Sequence, residues 1–232
     1  MIEAFAGAFG LMLAGDAELL GIVGLSRRVS LSAVFFASLL ALPVGAAVAL
    51  FHFPGRGAVI VLLNALMGLP PVVAGLMVYL LLSRAGPLGE LGLLFTPPAM
   101  VIVQSLLIFP IVAALTRQII ADLWTEYRDQ LISLGAGRLR AIPTLLWDGR
   151  YSLITALLAG FGRAAAEVGA VLIVGGNIAG VTRVMTTAIA LETNKGNLAL
   201  ALALGTILML LTLVVNGLAY GLGEFSRRRY GG

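Results

Sequence analysis

Four stretches of the chain run for more than 20 residues without a charge: Val29–Phe51, Gly57–Ser83, Leu91–Thr116 and Gly196–Gly223. A helix needs about 20 apolar residues to cross a bilayer, so each is long enough to span. A fifth run, from Tyr151 to about Val174, is interrupted only by Arg163 and Glu167. The pattern predicts five transmembrane helices at about 29–51, 58–82, 97–117, 151–174 and 197–222 in an all-α integral membrane protein. Ahead of them, Ile2, Phe5, Phe9 and Leu13 recur at helical spacing, and residues 4–15 hold only 12 uncharged positions between Glu3 and Asp16. That is too short to span, so residues 1–28 are expected to form an N-terminal segment with a helix lying in the membrane interface. A signal peptide is the competing reading, but its first region would be basic, and here it carries Glu3.

Between the third and fourth spans lies a polar hairpin, 118–150, which with Arg117 carries five of the chain's 15 Lys and Arg residues. Within it, Tyr127–Leu134 is expected to be a short amphipathic helix, with Leu131 and Leu134 on one face and Arg128 and Asp129 on the other. Gly135 is placed to end it. Such a hairpin is a handle for something on that side of the membrane.

Composition agrees with lipid as the solvent: 60% of residues are hydrophobic and 11% charged, whereas soluble domains are about one quarter charged. There is no cysteine, hence no disulfide framework and no thiolate metal site. A net charge of +4 with a single lysine reflects arginines gathered at span ends, not a nucleic-acid surface. Nine basic residues fall on the side of the hairpin, the 52–56 loop and the tail at 224–232, and five on the other, with Arg27 and Arg28 counting against the assignment. The N-terminus is therefore expected outside and the C-terminus in the cytoplasm.

Helix breakers sit inside the apolar runs. Pro70 and Pro71 follow Gly68, Pro97 and Pro98 open the third span, and Pro110 lies within it. Each is either a packing kink or a break lining a pathway. Ala156/Gly160 and Gly217/Gly221 have the spacing that permits close helix contact.

Chemistry is scarce. No P-loop spacing surrounds Lys195, so the chain carries no nucleotide site of that kind. The only histidine, His52, sits at a membrane edge with no carboxylate near it in sequence. No catalytic residue, metal site or cofactor is expected. Arg163 and Glu167, four apart, are expected to share a helix face and pair within the membrane. They are either a neutralised packing pair or part of a polar translocation path. The segment Gly175–Asn197, rich in Gly, Thr and Asn and containing Asn177 and Thr182, is too polar to span. Its N–H groups and hydroxyls could meet a small oxyanion or a delivering partner.

The hairpin resembles the EAA loop of ABC-type importer permeases: Asp129-Gln130-Leu131 stand at the EAA positions and Gly135-Ala136 at the glycine, with Leu145 at the later apolar position. Trp147 and Asp148 replace the leucine and proline that close that motif. GRAAAEVGAVLIVGGNIAG (162–180) and LPPVVAG (69–75) resemble segments of molybdate and tungstate permeases, and TTAIALETNKG (186–196) resembles the tungstate group more closely. The likeness extends over about residues 20–225. It implies a type I ABC importer permease fold in a bacterial or archaeal cytoplasmic membrane, and a homodimer with the pathway between subunits. It also implies an extracytoplasmic oxyanion-binding protein and a separate ATPase that docks on Glu126, Tyr127, Arg128, Asp129, Gln130, Leu131, Leu134, Gly135, Ala136 and Gly137. Arg163, Glu167, Asn177 and Thr182 would lie on the translocation path. Molybdate, sulfate or another oxyanion is the alternative cargo. An intramembrane enzyme or a structural scaffold is the alternative class.

Overall fold

The computed structural model describes the backbone over residues 2–230 and side chains over 6–11, 13–218 and 220–221. The side chains of Ile2 and Phe5, and those of the tail at 224–232, lie outside the described residues. Every regular element is helical among the described residues.

Two long helices form the axis of the fold. α2 (Ala17–Leu50) and α5 (Pro97–Ser133) hold 34 and 37 residues, about 50 Å or more each, so both exceed a hydrocarbon core of about 30 Å. Residues 17–28, expected in the N-terminal segment, are the first turns of α2. Asp16 caps them, its Oδ1 accepting from Leu19 N at 2.9 Å. The two helices run in the same direction. Ser105 Oγ donates to Ala33 O at 3.1 Å near one end, and Leu50 packs with Ile120 toward the other. Between these, a Cβ on Gly45 would stand 2.5 Å from Ala113 O, so the backbones touch there. Arg56 closes the end of α2, donating to Val48 O and Ala49 O at 2.8 and 3.2 Å.

The second and fourth spans are broken. The single helix expected over 58–82 is α3 (Arg56–Met67) and α4 (Pro71–Leu82), bent by 102°. Pro70 is extended at φ −61°, ψ 124° and Pro71 opens the next helix; a proline at 71 disfavours helical geometry at the residue before it. The span expected over 151–174 is α7 (Arg150–Ala165) and α8 (Gly169–Gly175), bent by 61°. At about 1.5 Å per residue, none of these four pieces crosses a bilayer alone. Three helices do by length and composition, α2, α5 and the 198–218 part of α10 (Leu198–Tyr230), and the count is five if each bent pair is one span.

The two bent pairs meet. A Cβ on Gly75 of α4 would stand 2.8 Å from Ala170 Cα of α8, so only glycine lets the backbones approach this closely. Ala74, Val78 and Leu82 of α4 then close a core with Met100 and Val103 of α5 and Val171 and Val174 of α8. α9 (Met185–Lys195) and α1 (Ile2–Ala14) complete the bundle against α10, α1 through Ala8 packed with Leu200, Ala203 and Leu204. The interior is rich in alanine and valine. Phe35, Leu39, Leu76, Leu80, Met209 and Leu213 are exposed, as expected of faces whose solvent is lipid.

The handle differs from expectation. Tyr127–Leu134 is not a separate helix but the last turns of α5, whose register continues unbroken past Pro110. Gly135 does end it: at φ +74° it donates to Ile132 O at 2.9 Å, and Ala136 N donates to Leu131 O at 2.8 Å. This pair of bonds is a Schellman cap, whose left-handed residue favours glycine. The separate amphipathic helix comes afterwards. α6 (Arg138–Asp148) buries Ala141 and Leu145 against Ala46, Leu50 and Ile120 and leaves Leu139 and Trp147 exposed.

Candidate functional site

Two places combine polar chemistry with defined geometry. At the handle, the end of α5 and the α6–α7 junction enclose a cavity of about 460 Å³. Glu126, Tyr127, Gln130, Leu131 and Leu134 line one wall, and Asp148, Gly149 and Arg150 the other. Tyr127 and Leu131 pack against the core below. The hydrogen bond to Glu126, reinforced by that carboxylate's charge, raises the Tyr127 phenol above its ordinary value. Arg128, Asp129 and Gln130 are exposed, as are Gly135 and Gly137, while Ala136 is half-buried. Arg150 lies 4.9 Å from the Trp147 ring centroid and 4.6 Å from that of Tyr151, fixing the junction by cation–π contacts. Ile132, Leu134, Leu139 and Trp147 together present apolar surface around the hairpin, Leu134 being 83% exposed. Exposed apolar side chains gathered in this way give the hairpin a surface able to receive another protein.

The second place is the break between α7 and α8. Arg163 and Glu167 pair through Nη1 and Oε2 at 2.5 Å. They do not share one helix, because α7 ends at Ala165 and Glu167 lies in the bend. Glu167 Oε1 accepts from Ala170 N at 3.0 Å, so the carboxylate also satisfies the start of α8. Its backbone oxygen accepts from Thr186 Oγ1 of α9 at 2.7 Å. Gln104 of α5 donates to Ala164 O at 3.1 Å, one turn before the bend. Ser26, Ser30, Gln104, Glu167 and Thr186 thereby surround a small enclosed space joining α2, α5, α7 and α9.

Of the four residues expected on a path, the structure brings two together. Arg163 and Glu167 form the pair, while Asn177 and Thr182 stand about two helical turns away, beyond the far end of α8. Thr182, 1% exposed, uses its hydroxyl locally, donating to Gly175 O at 2.5 Å and accepting from Ile178 N at 2.9 Å. Asn177 adopts φ +51° and reaches Thr187 O at 3.4 Å, with its own Oδ1 buried and unbonded. Gln104, Ser26, Ser30 and Thr186 are not among the residues expected. Gln104 alone offered a signal, being the one amide in an otherwise apolar run.

No protein-family model matches the chain. Among curated proteins, it is 42% identical over 205 residues to the probable anion ABC transporter permease protein of Haloferax volcanii, covering 86% of this chain and 88% of that one. It is 38% identical over 222 residues to the tungstate uptake system permease protein TupB of Peptoclostridium acidaminophilum, covering 96% and 97%. The chain belongs to the ABC transporter permeases. A more distant relative is the sulfate transport system permease protein CysW of Escherichia coli strain K12, 29% identical over 217 residues, 88% of this chain and 73% of that one. This permease is thus a multi-pass membrane subunit, not itself an enzyme, of a transporter that also contains an ATPase and a substrate-binding partner.

Proposed function

We propose that this permease is the membrane subunit of an ATP-driven tungstate importer. The observation that carries the reading is its likeness to a tungstate uptake permease along almost the whole of both chains. Sulfate is the second reading, favoured by the likeness to CysW; molybdate shares the tetrahedral dianion chemistry of both. Two copies would enclose the path, their apolar flanks in lipid. An extracytoplasmic binding protein would deliver the anion, with the N-terminus outside and the handle and C-terminus in the cytoplasm.

Coupling follows from mechanics. The ATPase would hold the surface formed by Glu126–Gly137 together with α6. From Ser133 to Gln104, α5 is one continuous helix that includes Pro110, about 44 Å long. Gln104 grips the α7 carbonyl at Ala164, so displacement of the handle would reach the α7–α8 bend directly. There Arg163 would meet the passing anion while Glu167 keeps it neutralised between passages.

The test is uptake into proteoliposomes holding the permease, its ATPase and its binding protein. Tungstate accumulation that requires ATP, and that sulfate does not compete away, is the expected result. Uptake competed equally by sulfate would move the cargo assignment, and ATP-independent uptake would remove the mechanism.

A further inference from the structure

A cavity of about 450 Å³ lies against the first turns of α2 and is closed by the loop before α9, and it shares no lining residue with either place described above. Glu18, Gly21, Leu25 and Arg28 line it from α2 at spacings of three and four, hence from one helix face. Its floor is bare backbone, since a Cβ on Gly21 or Gly24 would meet no atom within 4 Å. Gly180 and Arg183 form the opposite wall. Arg183 Nη1 donates to Glu18 Oε1 at 3.1 Å. The Arg183 side chain is only 14% exposed, and its Nε is buried without an acceptor. Arg28 is exposed and enters no ion pair among the described residues. The cavity thus holds two cations against one carboxylate.

We propose that this cavity receives a small tetrahedral oxyanion, and that Glu18 occupies Arg183 when no anion is bound. The inference rests on the importer reading and deepens it, naming where the anion first meets the permease. Guanidinium groups present paired donors matched to oxyanions, and the one hydrogen bond recorded from the Arg183 head is the one to Glu18. The volume falls within the range of small-ligand sites and leaves room for a hydrated ion. Glu18 is 58% exposed, so water can solvate it once it lets go of Arg183, and release costs little.

The opposite charges at the two ends of the bridge give a discriminating test. Wild-type permease in nanodiscs of zwitterionic lipid, without ATPase or binding protein, is titrated calorimetrically with sodium tungstate and separately with sodium sulfate. The expected result is that R28Q and R183Q each weaken binding at least tenfold while E18Q tightens it severalfold. A purely structural bridge would respond alike to loss of either end. E18Q and R183Q moving affinity in the same direction, binding unaffected by R28Q, or no binding at millimolar tungstate overturns the proposal. Should R183Q fail to fold, R28Q and E18Q carry the comparison from an exposed helix face. Equal binding of sulfate supports the site and assigns selectivity elsewhere. Uptake by the complete transporter is read separately: no oxyanion import at all sinks the importer reading, while normal tungstate uptake with an unchanged KM in R28Q sinks only this inference.

Discussion

Removing Arg163 should cost far more stability than removing the charge of Glu167, although both break the same ion pair. The asymmetry follows from exposure: the Arg163 side chain is 32% exposed and that of Glu167 only 4%. In R163A the carboxylate stays buried with one remaining donor, Ala170 N. Stranding one member of a buried pair costs about 3–5 kcal/mol, and the N–H and short helix behind it offset a fraction, leaving about 3 kcal/mol. In E167Q the amide oxygen can still accept from Ala170 N, and Arg163, 32% exposed, is not enclosed as Glu167 is, so about 1 kcal/mol is expected. The gap of about 2 kcal/mol is roughly thirtyfold in the unfolding equilibrium. The double variant strands no charge and should resemble E167Q, revealing a coupling of about 3 kcal/mol. Equilibrium unfolding in mixed micelles measures all three. E167Q as damaging as R163A, or strictly additive losses in the double variant, would refute the reasoning. R163A that remains as stable as wild type yet transports nothing would locate the arginine's role in the path instead of in packing.

L134D and L139D change exposed side chains on the handle, so each should leave the unfolding midpoint nearly unchanged, within about 0.5 kcal/mol. Each should nevertheless weaken retention of the ATPase subunit at least tenfold in a pull-down from co-expressed membranes; full retention in both would place docking elsewhere. Glu192 supplies the pH prediction. Its carboxyl is held below the usual range, first by the hydrogen bond from Lys195 and then by Asn197, with burial opposing them. A depressed folded pKa stabilises above the unfolded value of about 4.3 and loses that contribution as pH falls through the folded value. Wild type should therefore lose stability more steeply than E192Q as pH falls below about 5; parallel curves would contradict the assignment.

Much of this architecture was legible in the sequence because hydropathy reports whether a segment lies in lipid. It does not report direction. The 57–83 run is uncharged whether straight or bent, and after the 102° bend α4 packs where Gly75 meets Ala170, two residues far apart in the chain. Pro70 and Pro71 indicated a break without its size. The spacing of Arg163 and Glu167 rightly indicated a pair, yet helical spacing alone could not show that the helix ends between them. Gly135 was readable because a left-handed cap has a residue preference. α6 was not, because its buried face is only Ala141 and Leu145 and becomes apolar contact only once Leu50 and Ile120 are placed beside it.

The two bends also answer a question that five straight spans would leave open. Straight packed helices slide past one another at the cost of every interdigitated contact, so a handle pulled from below would move little at depth. A bend concentrates the change at a few residues near helix ends, where hinges usually lie. Here α4 and α8 touch backbone to backbone at Gly75 and Ala170, next to the bend that α5 grips through Gln104. A rotation of α7 against α8 would then move α4 with it, and the only charged pair recorded at the bend would open at the same moment. Buried charge at a hinge is costly when stranded, and that cost favours two defined positions over a continuum between them.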